Sequence, residues 1–289
     1  MRPVPHNSGF VLIVVLLVIV TAATALAATV RYSCQQALTA AERMRRLQLR
    51  WGMLSCRAVC LPRAELTLQD RPATDSGPLA RVHRSVKLGD MTFHVIVGDE
   101  QAKADVNLLA ARRGRRGLIE ALRMLQLDQR RVLQTRLKPI AVKPNPANPI
   151  PAVYGSFEQL FDVGHPSKLV GTGRIDRYAS DRITCWSRGR VNFKRADRRV
   201  LREVLEGILN ETQIDALIRI RRDVPDCTLN EALGQLDLKK PVRKAAQSLL
   251  TDMSWCHSLW IVAEGRSRKW YQLHVARGVI ENEEWSFAW

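Results

Sequence analysis

Six histidines and six cysteines are the residues of this chain whose types could do chemistry, and their spacing is the first thing to test. His6, His83, His94, His165, His257 and His274 are scattered, and no two sit where a helix or strand would turn both imidazoles onto one metal. His94 and His274 alternate with apolar neighbours and read as residues on a sheet face. Of Cys34, Cys56, Cys60, Cys185, Cys227 and Cys256, only Cys56 and Cys60 lie close together, and no second pair follows to complete a zinc site. The count suits an oxidising compartment, but the order of residues leaves the pairing open. The "GTGR" at Gly171 lacks the later glycine and the strand-to-helix setting of a dinucleotide loop. The order of residues does not by itself assemble a Ser/His/Asp triad. The chain therefore reads as a set of surfaces with no catalytic residue, no metal and no cofactor.

One reaction is suggested, with the chain as its substrate. A polar leader holding a single arginine (Arg2) ends at Ser8-Gly9, and an apolar run begins without a ramp at Phe10. A secretory signal peptide has a shorter apolar core and a small-residue cleavage site, for which Ala25–Ala27 is the rival candidate. The run from Phe10 to Val30 contains no ionisable side chain. At about 1.5 Å per residue it reaches roughly 31 Å, enough to cross a bilayer core.

The elements that follow must carry whatever the anchor holds. Ala37, Ala40, Met44, Leu47, Trp51, Leu54, Ala58 and Leu61 recur at alternating steps of three and four, a continuous helical stripe, with Arg43, Arg45, Arg46, Arg50 and Arg57 between them. Pro62 ends the element, since it has no amide hydrogen and disfavours helix in the residue before it. The helix from Phe10 to Leu61 would be about 78 Å long. A heptad stripe also suits a coiled coil; small Ala37, Ala40 and Ala58 beside Trp51 argue for packing on a sheet. "RVHRSVKLGDMTFHVIV" reads as a hairpin about Gly89-Asp90, pairing Leu88 with Met91, Val86 with Phe93 and Val82 with Val97. "SLWIVAEGRSRKWYQLHVARG" supplies strands near Leu259–Ala263 and Trp270–Ala276. The long segment between the hairpins looks helical, an insertion into a sheet.

Within the insertion there is a weak repeat. Both halves open with Val-Asn, at Val106-Asn107 and Val191-Asn192, and continue into helices with paired apolar residues. These are Leu118, Ile119 and Leu122 in the first, and Val200, Leu201, Val204 and Leu205 in the second. Leu127-Asp128 with Val132 and Leu209-Asn210 with Ile214 have the form of hydrophobic staples, and Gln213 adds a capping box. Ser156 with Gln159 and Thr228 with Glu231 are further boxes; the first half is longer by the proline-rich "KPIAVKPNPANPIP", a loop or linker. The expected fold is α+β: a long N-terminal helix on a small antiparallel sheet, with a large inserted all-α domain of two SAM-like or helix-hairpin-helix-like bundles. Expected boundaries are 1–9 leader, 10–61 membrane and stem helix, 62–104 first part of the sheet, 105–165 and 166–251 the inserted subdomains, and 252–289 the second part of the sheet. The balance of 45 Lys and Arg against 28 acids, a net +17, suits an anionic neighbour, or simply solvated helix faces. "LEGILNETQ" resembles a DNA-binding helix-hairpin-helix turn, yet Leu209 stands where that motif wants a second glycine. Binding of DNA by charge alone would be unspecific and salt-dependent.

Taken together, the Ser8-Gly9-Phe10 junction, the apolar helix starting with Phe, the stem and the small sheet resemble the type IV prepilin-like proteins. The helical insertion, the Val-Asn openings and "VNFKRADRRVLREVL" resemble the K-type minor pseudopilin of type II secretion (general secretion pathway protein K). The resemblance implies cleavage by prepilin peptidase after Gly9, a methylated Phe10, and a single-pass inner-membrane anchor with a periplasmic head. It also implies a place at the pseudopilus tip with other minor pseudopilins, and a role in starting assembly; nucleic acid is not an expected partner. Most pilins carry Glu at the fifth mature position to offset a neighbour's N-terminus; here that position is Val14, and its absence is likewise a feature of the K-type family. Heads of the family can bind calcium through clustered acids, for which Asp99, Glu100 and Asp105 are loose candidates and no site is claimed. A single-pass envelope protein and a DNA-handling pilus component are the alternative readings.

Overall fold

A computed structural model describes residues 8–69, 80–127, 129, 132–142, 150–171, 178–265, 268–278 and 283–289. The chain divides into two units, residues 1–51 and Gly52–Trp289. The first is helix throughout its described length. Helix α1 runs from Ser8 to Cys60 without interruption, through the apolar run and past the alanines at 25–27. No proline falls inside it. The hydroxyls of Thr21, Thr24, Thr29 and Thr39 donate to carbonyls three or four residues back, so the polar groups in an apolar setting are satisfied by the helix itself.

The second unit begins with the last nine residues of α1 and the short α2 (Ala64–Gln69). Strands β1 (Arg81–Leu88) and β2 (Met91–Asp99) form the first hairpin. The remaining elements, in chain order, are β3 (Ala104–Asp105), α3 (Val106–Gln126), β4 (Ile183–Thr184), β5 (Val191–Asn192), α4 (Arg198–Leu205), α5 (Glu211–Asp223), α6 (Leu229–Gly234), α7 (Lys240–Leu249), β6 (Leu250–Thr251), β7 (Cys256–Glu264), β8 (Lys269–Arg277) and β9 (Glu283–Ala288). The main sheet is antiparallel with order β1-β2-β7-β8-β9. Its first hairpin has the expected register, Leu88 opposite Met91, Val86 opposite Phe93 and Val82 opposite Val97. Gly89 supplies the positive φ of 61° that the turn needs, and Asp90 needs none, as in a type II′ turn. Strand β9 was not expected; its pattern of alternate half-burial over Glu283–Ala288 begins with two glutamates, which masked the alternation.

The chain leaves the sheet at the end of β2 and returns at β7, its immediate neighbour, so the insertion is looped out between two central strands. Two short parallel ladders close it: β3 pairs with β4, and β5 with β6. The first loop, between β3 and β4, contains α3, kinked at Gly114 with φ 63°. Its other described elements are single 3-10 turns at Phe157–Gln159, Pro166–Lys168 and Ala179–Asp181. The second loop, between β5 and β6, contains α4 to α7. Asp105, Asp197, Asn210 and Thr228 cap α3, α4, α5 and α6, and the Asn210–Gln213 and Thr228–Glu231 boxes form as expected. The Ser156–Gln159 box does not: Ser156 makes no cap bond, and Gln159 Oε1 instead accepts from the Gly155 amide. Leu127 and Val132 are exposed, so they form no staple, and Asp128 lies outside the described residues. The part of "KPIAVKPNPANPIP" from 143 to 149 and most of "GTGR" also lie outside them.

One apolar core joins the insertion to the sheet. Leu118, Leu122, Leu201, Leu205 and Leu217 are inaccessible to solvent and belong to the same cluster as Ile96, Trp260, Val262 and Leu273. Burial of each such side chain contributes about 1.5–3 kcal/mol. Ile119, expected among them, is exposed. The opposite face of the sheet presents Met91, Phe93, Val95, Leu259 and Ile261, and here the end of α1 lies on it. The contact is not the expected stripe. Met44, Leu47, Trp51, Leu54 and Ala58 are exposed, and the buried residues are Gly52, Met53 and Cys56. The reason is steric. Gly52 lies so close to the Phe93 ring that a Cβ there would fall 2.2 Å from Phe93 Cζ. The helix approaches the sheet through the face that lacks bulk, and the stripe is left free.

Candidate functional site

The residues expected to undergo processing lie in the first turn of α1: Ser8 and Gly9 open the helix, and Phe10 is 72% exposed at the start of the apolar run. The most apolar 18-residue window of that run has a mean hydropathy of 3.0 and is wholly unburied by the rest of the chain. Val14 lies within it, where a carboxylate would need a partner to be tolerated in hydrocarbon. The helix is long and apolar enough to cross a membrane. The apolar run and the residues that pack on the sheet belong to one helix.

At the head end of the second unit, a polar junction locks α2 to the insertion. Arg195, in the turn after β5, donates from both terminal nitrogens to the two oxygens of Glu65 on α2, at 2.7 and 2.8 Å. The same guanidinium donates to Asp99 Oδ2 at 3.2 Å. Asp99 is wholly buried at the end of β2; it also accepts from the Ser254 hydroxyl at 2.6 Å and from the Gln101 amide at 2.8 Å. Asn192 donates to Ser254 at 2.7 Å. His257 Nε2 stands 2.9 Å from Glu65 Oε2. Burial opposes ionisation of Glu65, but His257 and Arg195 outweigh it and hold its carboxyl well below the usual carboxylate range. Planar, two-pronged pairing of this kind fixes orientation as well as proximity.

The two Val-Asn openings do different work. Asn107 is inside the first turn of α3, where its amide donates to the carbonyls of Tyr154 and Cys185 and its oxygen accepts from the Tyr154 amide. Asn192 is in a ladder strand and binds Ser254 and Asp99. Each nonetheless staples distant segments at the mouth of a loop, which is a physical reason for a buried amide at both places. The acids considered for calcium are consumed in the same manner. Asp105 Oδ1 caps the amides of Asn107 and Leu108, and Oδ2 accepts from Ser187 and Gly189. Burial pushes the Asp105 carboxyl up despite those four bonds. Glu100 pairs with Lys103, both buried. Among the described residues no three His, Cys, Asp or Glu side chains are disposed to hold a metal ion. Cys56, Cys185, Cys227 and Cys256 are buried free thiols, Cys60 is half-buried and Cys34 exposed, also unpaired. His94 and His274 are sheet residues as expected; His94 lies 3.3 Å from both His83 and Glu264, and His274 2.8 Å from Ser286.

Several arginines are used inside the fold. Arg112 and Arg113 donate to the carbonyls of Val204 and Glu203 at the end of α4, where the helix dipole is negative and carbonyls are unpaired. Arg113 also pairs with the carboxylates of Glu203 at 3.0 Å and Glu206 at 2.6 Å. Arg221 donates to the carbonyls of Phe193 and Ala196, and burial lowers its pKa to about 10. Arg182 pairs with Asp197 and donates to the Leu125 carbonyl at 3.1 Å. Sequence reasoning assigned this charge to solvated faces; no spacing rule marks an arginine that will cap a helix from a different segment.

These features define an α+β architecture: a long N-terminal helix that opens with an apolar run, an antiparallel sheet packed on the last turns of that helix, and helices looped out between two central strands. The chain matches no protein-family model and no curated protein. Among solved structures, it is similar to a chain in the crystal structure of the GspK-GspI-GspJ complex from the enterotoxigenic Escherichia coli type 2 secretion system. Identity is 13% and the TM-score 0.46, over 87% of this chain and 99% of that one.

Proposed function

We propose that the chain is a minor pseudopilin of a type II secretion system: cut after Gly9 by a prepilin peptidase, methylated on Phe10 and held in the inner membrane by Phe10–Val30. Its head stands in the periplasm, joins other minor pseudopilins at the pseudopilus tip and helps start assembly. One observation carries this reading. Helix α1 passes without a break from the Gly9-Phe10 junction to the residues that pack on the sheet. A cut at Ala25–Ala27 would discard most of the apolar run and leave a severed helix end. A cut after Gly9 keeps the apolar run and the sheet-packing residues in one mature chain. Val14 in place of a carboxylate fits a subunit with no neighbour above it, and the free stripe of Met44, Leu47, Trp51 and Leu54 offers neighbours an apolar face.

Mass spectrometry of the mature protein tests the processing step. The expected product begins at methylated Phe10, and Gly9→Trp blocks it; a mature terminus at Ala28 overturns the reading. Copurification at physiological ionic strength tests the partner. Minor pseudopilins of the same system should be recovered there, while DNA binding by charge alone should collapse as salt competes for phosphate. Tight DNA binding with no pseudopilin recovered would refute the assignment.

A further inference from the structure

A cavity of about 230 Å³ opens beside the free edge of the main sheet. Strand β9 is the last in the sheet order, and the reciprocal bonds between Tyr271 and Trp289, at 3.3 and 3.0 Å, show which of its residues bond inward. Alternation then turns the N–H and C=O groups of Glu284, Ser286 and Ala288 outward, and no described backbone group meets them. The side chains of Phe287 and Trp289 share the face that looks toward the insertion, and their rings stack at 6.1 Å. Trp186 stands 5.9 Å from Phe287 and meets Phe157 edge-on at 5.4 Å. Those four rings wall the cavity, and among the described residues Glu158 is the one charged side chain on its lining. Glu158 Oε1 accepts from Trp289 Nε1 at 2.9 Å, which fixes the ring; its other oxygen has no hydrogen bond among the described residues.

Aromatic faces attract cations through their quadrupoles, and a carboxylate at the wall adds charge of the right sign. An apolar guest would fill the rings and strip water from Glu158 without replacing it; an anion would be repelled. The geometry points to an extended segment of another polypeptide, which adds to β9 as a sixth strand and places an arginine or lysine side chain in this aromatic cavity. The residue set opposite Phe287 projects on the same face as Phe287, so main-chain pairing and side-chain insertion are compatible. The net charge of +17 disfavours capture of a free cation, so the strand's main-chain bonds must hold the guest in place.

The test uses the full chain in detergent micelles and fluorescein-labelled heptapeptides of threonine and valine with one central residue varied. The arginine-centred peptide should bind saturably. Its citrulline counterpart, equal in shape and uncharged, should bind at least tenfold more weakly. Of two versions N-methylated on alternate residues, one should lose binding by a similar factor. Glu158→Gln keeps an acceptor for Trp289 and removes the charge, so the preference for arginine over citrulline should fall to about twofold or less. Glu158→Lys should prefer a glutamate-centred peptide, a reversal that a merely unfolded variant could not give. Equal binding of arginine and citrulline peptides would overturn the cation site. Retained binding of both N-methylated versions, with free choline binding as tightly, would overturn the added strand. This inference goes beyond the secretion role, and the peptide titration reads neither processing nor copurification, so either can fail alone.

Discussion

Replacing Gly52 by alanine sets two effects of known size against each other. Glycine inside a helix is worse than alanine by about 1 kcal/mol, so propensity alone predicts that Gly52→Ala stabilises. The new methyl, however, would lie 2.2, 2.6 and 2.7 Å from three atoms of the Phe93 ring. Carbon atoms rest at about 3.5–4.0 Å, so the ring or the helix must shift by more than about 1 Å. Phe93 has no solvent exposure and sits between Val86 and Ala263 on neighbouring strands, so it has little room to turn. Overpacking of this kind costs about 1–3 kcal/mol, and the closeness of three contacts places it at the upper end. The expected net result is a loss of about 1–2 kcal/mol, or roughly 2–8 °C in the melting temperature of the head at about 2–4 °C per kcal/mol. Thermal unfolding of the full chain in detergent, followed by near-ultraviolet circular dichroism, measures it. In a Phe93→Leu background the same substitution should become neutral or stabilising, because the rigid ring has gone. A gain of about 1 kcal/mol for Gly52→Ala in the parent would refute the close approach of stem and sheet.

Two further outcomes follow from the ion pairs. Arg113→Met leaves the Glu203 carboxylate buried without its partner, a change that typically costs about 3–5 kcal/mol. Burial already raises the Glu203 pKa, so the group can take up a proton and the loss should be nearer to 2 kcal/mol; Arg113→Met with Glu203→Met should recover more than half of it in denaturant titrations, and strict additivity would argue against the pair. Glu65 has a folded pKa depressed below its unfolded value, so its contribution is present above the ordinary carboxylate range and is lost as pH falls toward the folded value. The stability gap between the parent and Glu65→Gln should therefore be full at pH 6 and shrink steadily below about pH 4; a gap that widens on acidification would show that the Arg195 and His257 pairing is not what holds the charge.

What the sequence made legible is what local rules govern. The hairpin register followed from alternation about Gly89, and the boxes at Asn210 and Thr228 followed from cap chemistry. The α4 stripe followed from helical period. Each of these is decided within a few residues. The face by which α1 meets the sheet was not local: the stripe through Trp51 is the stronger period, yet the contact depends on a ring forty residues away that only a glycine can accommodate. The same holds for Ser156, whose box pattern is sound but whose segment is held instead by Gln159 Oε1 accepting from the Gly155 amide and by the Asn107 side-chain oxygen accepting from the Tyr154 amide. Strand β9 was hidden because two glutamates open it, and they are tolerated because Arg57 and Arg277 lie beside them.

A net +17 suits an anionic neighbour or solvated helix faces, but several of the basic groups face anions and carbonyls within the molecule. Arg195 ties α2 to the end of β2, Arg113 ties α3 to α4, and Arg57 ties the last turn of α1 to β9 at Glu284, 2.5 Å away. The lysines do not replace them, because a two-pronged planar donor can bind two carboxylates or a carboxylate and a carbonyl at once. An insertion looped out of a sheet through two two-residue ladders has little main-chain pairing to hold it. Multidentate side chains at the seams, with the apolar core that the insertion shares with the sheet, add the contacts that the ladders lack.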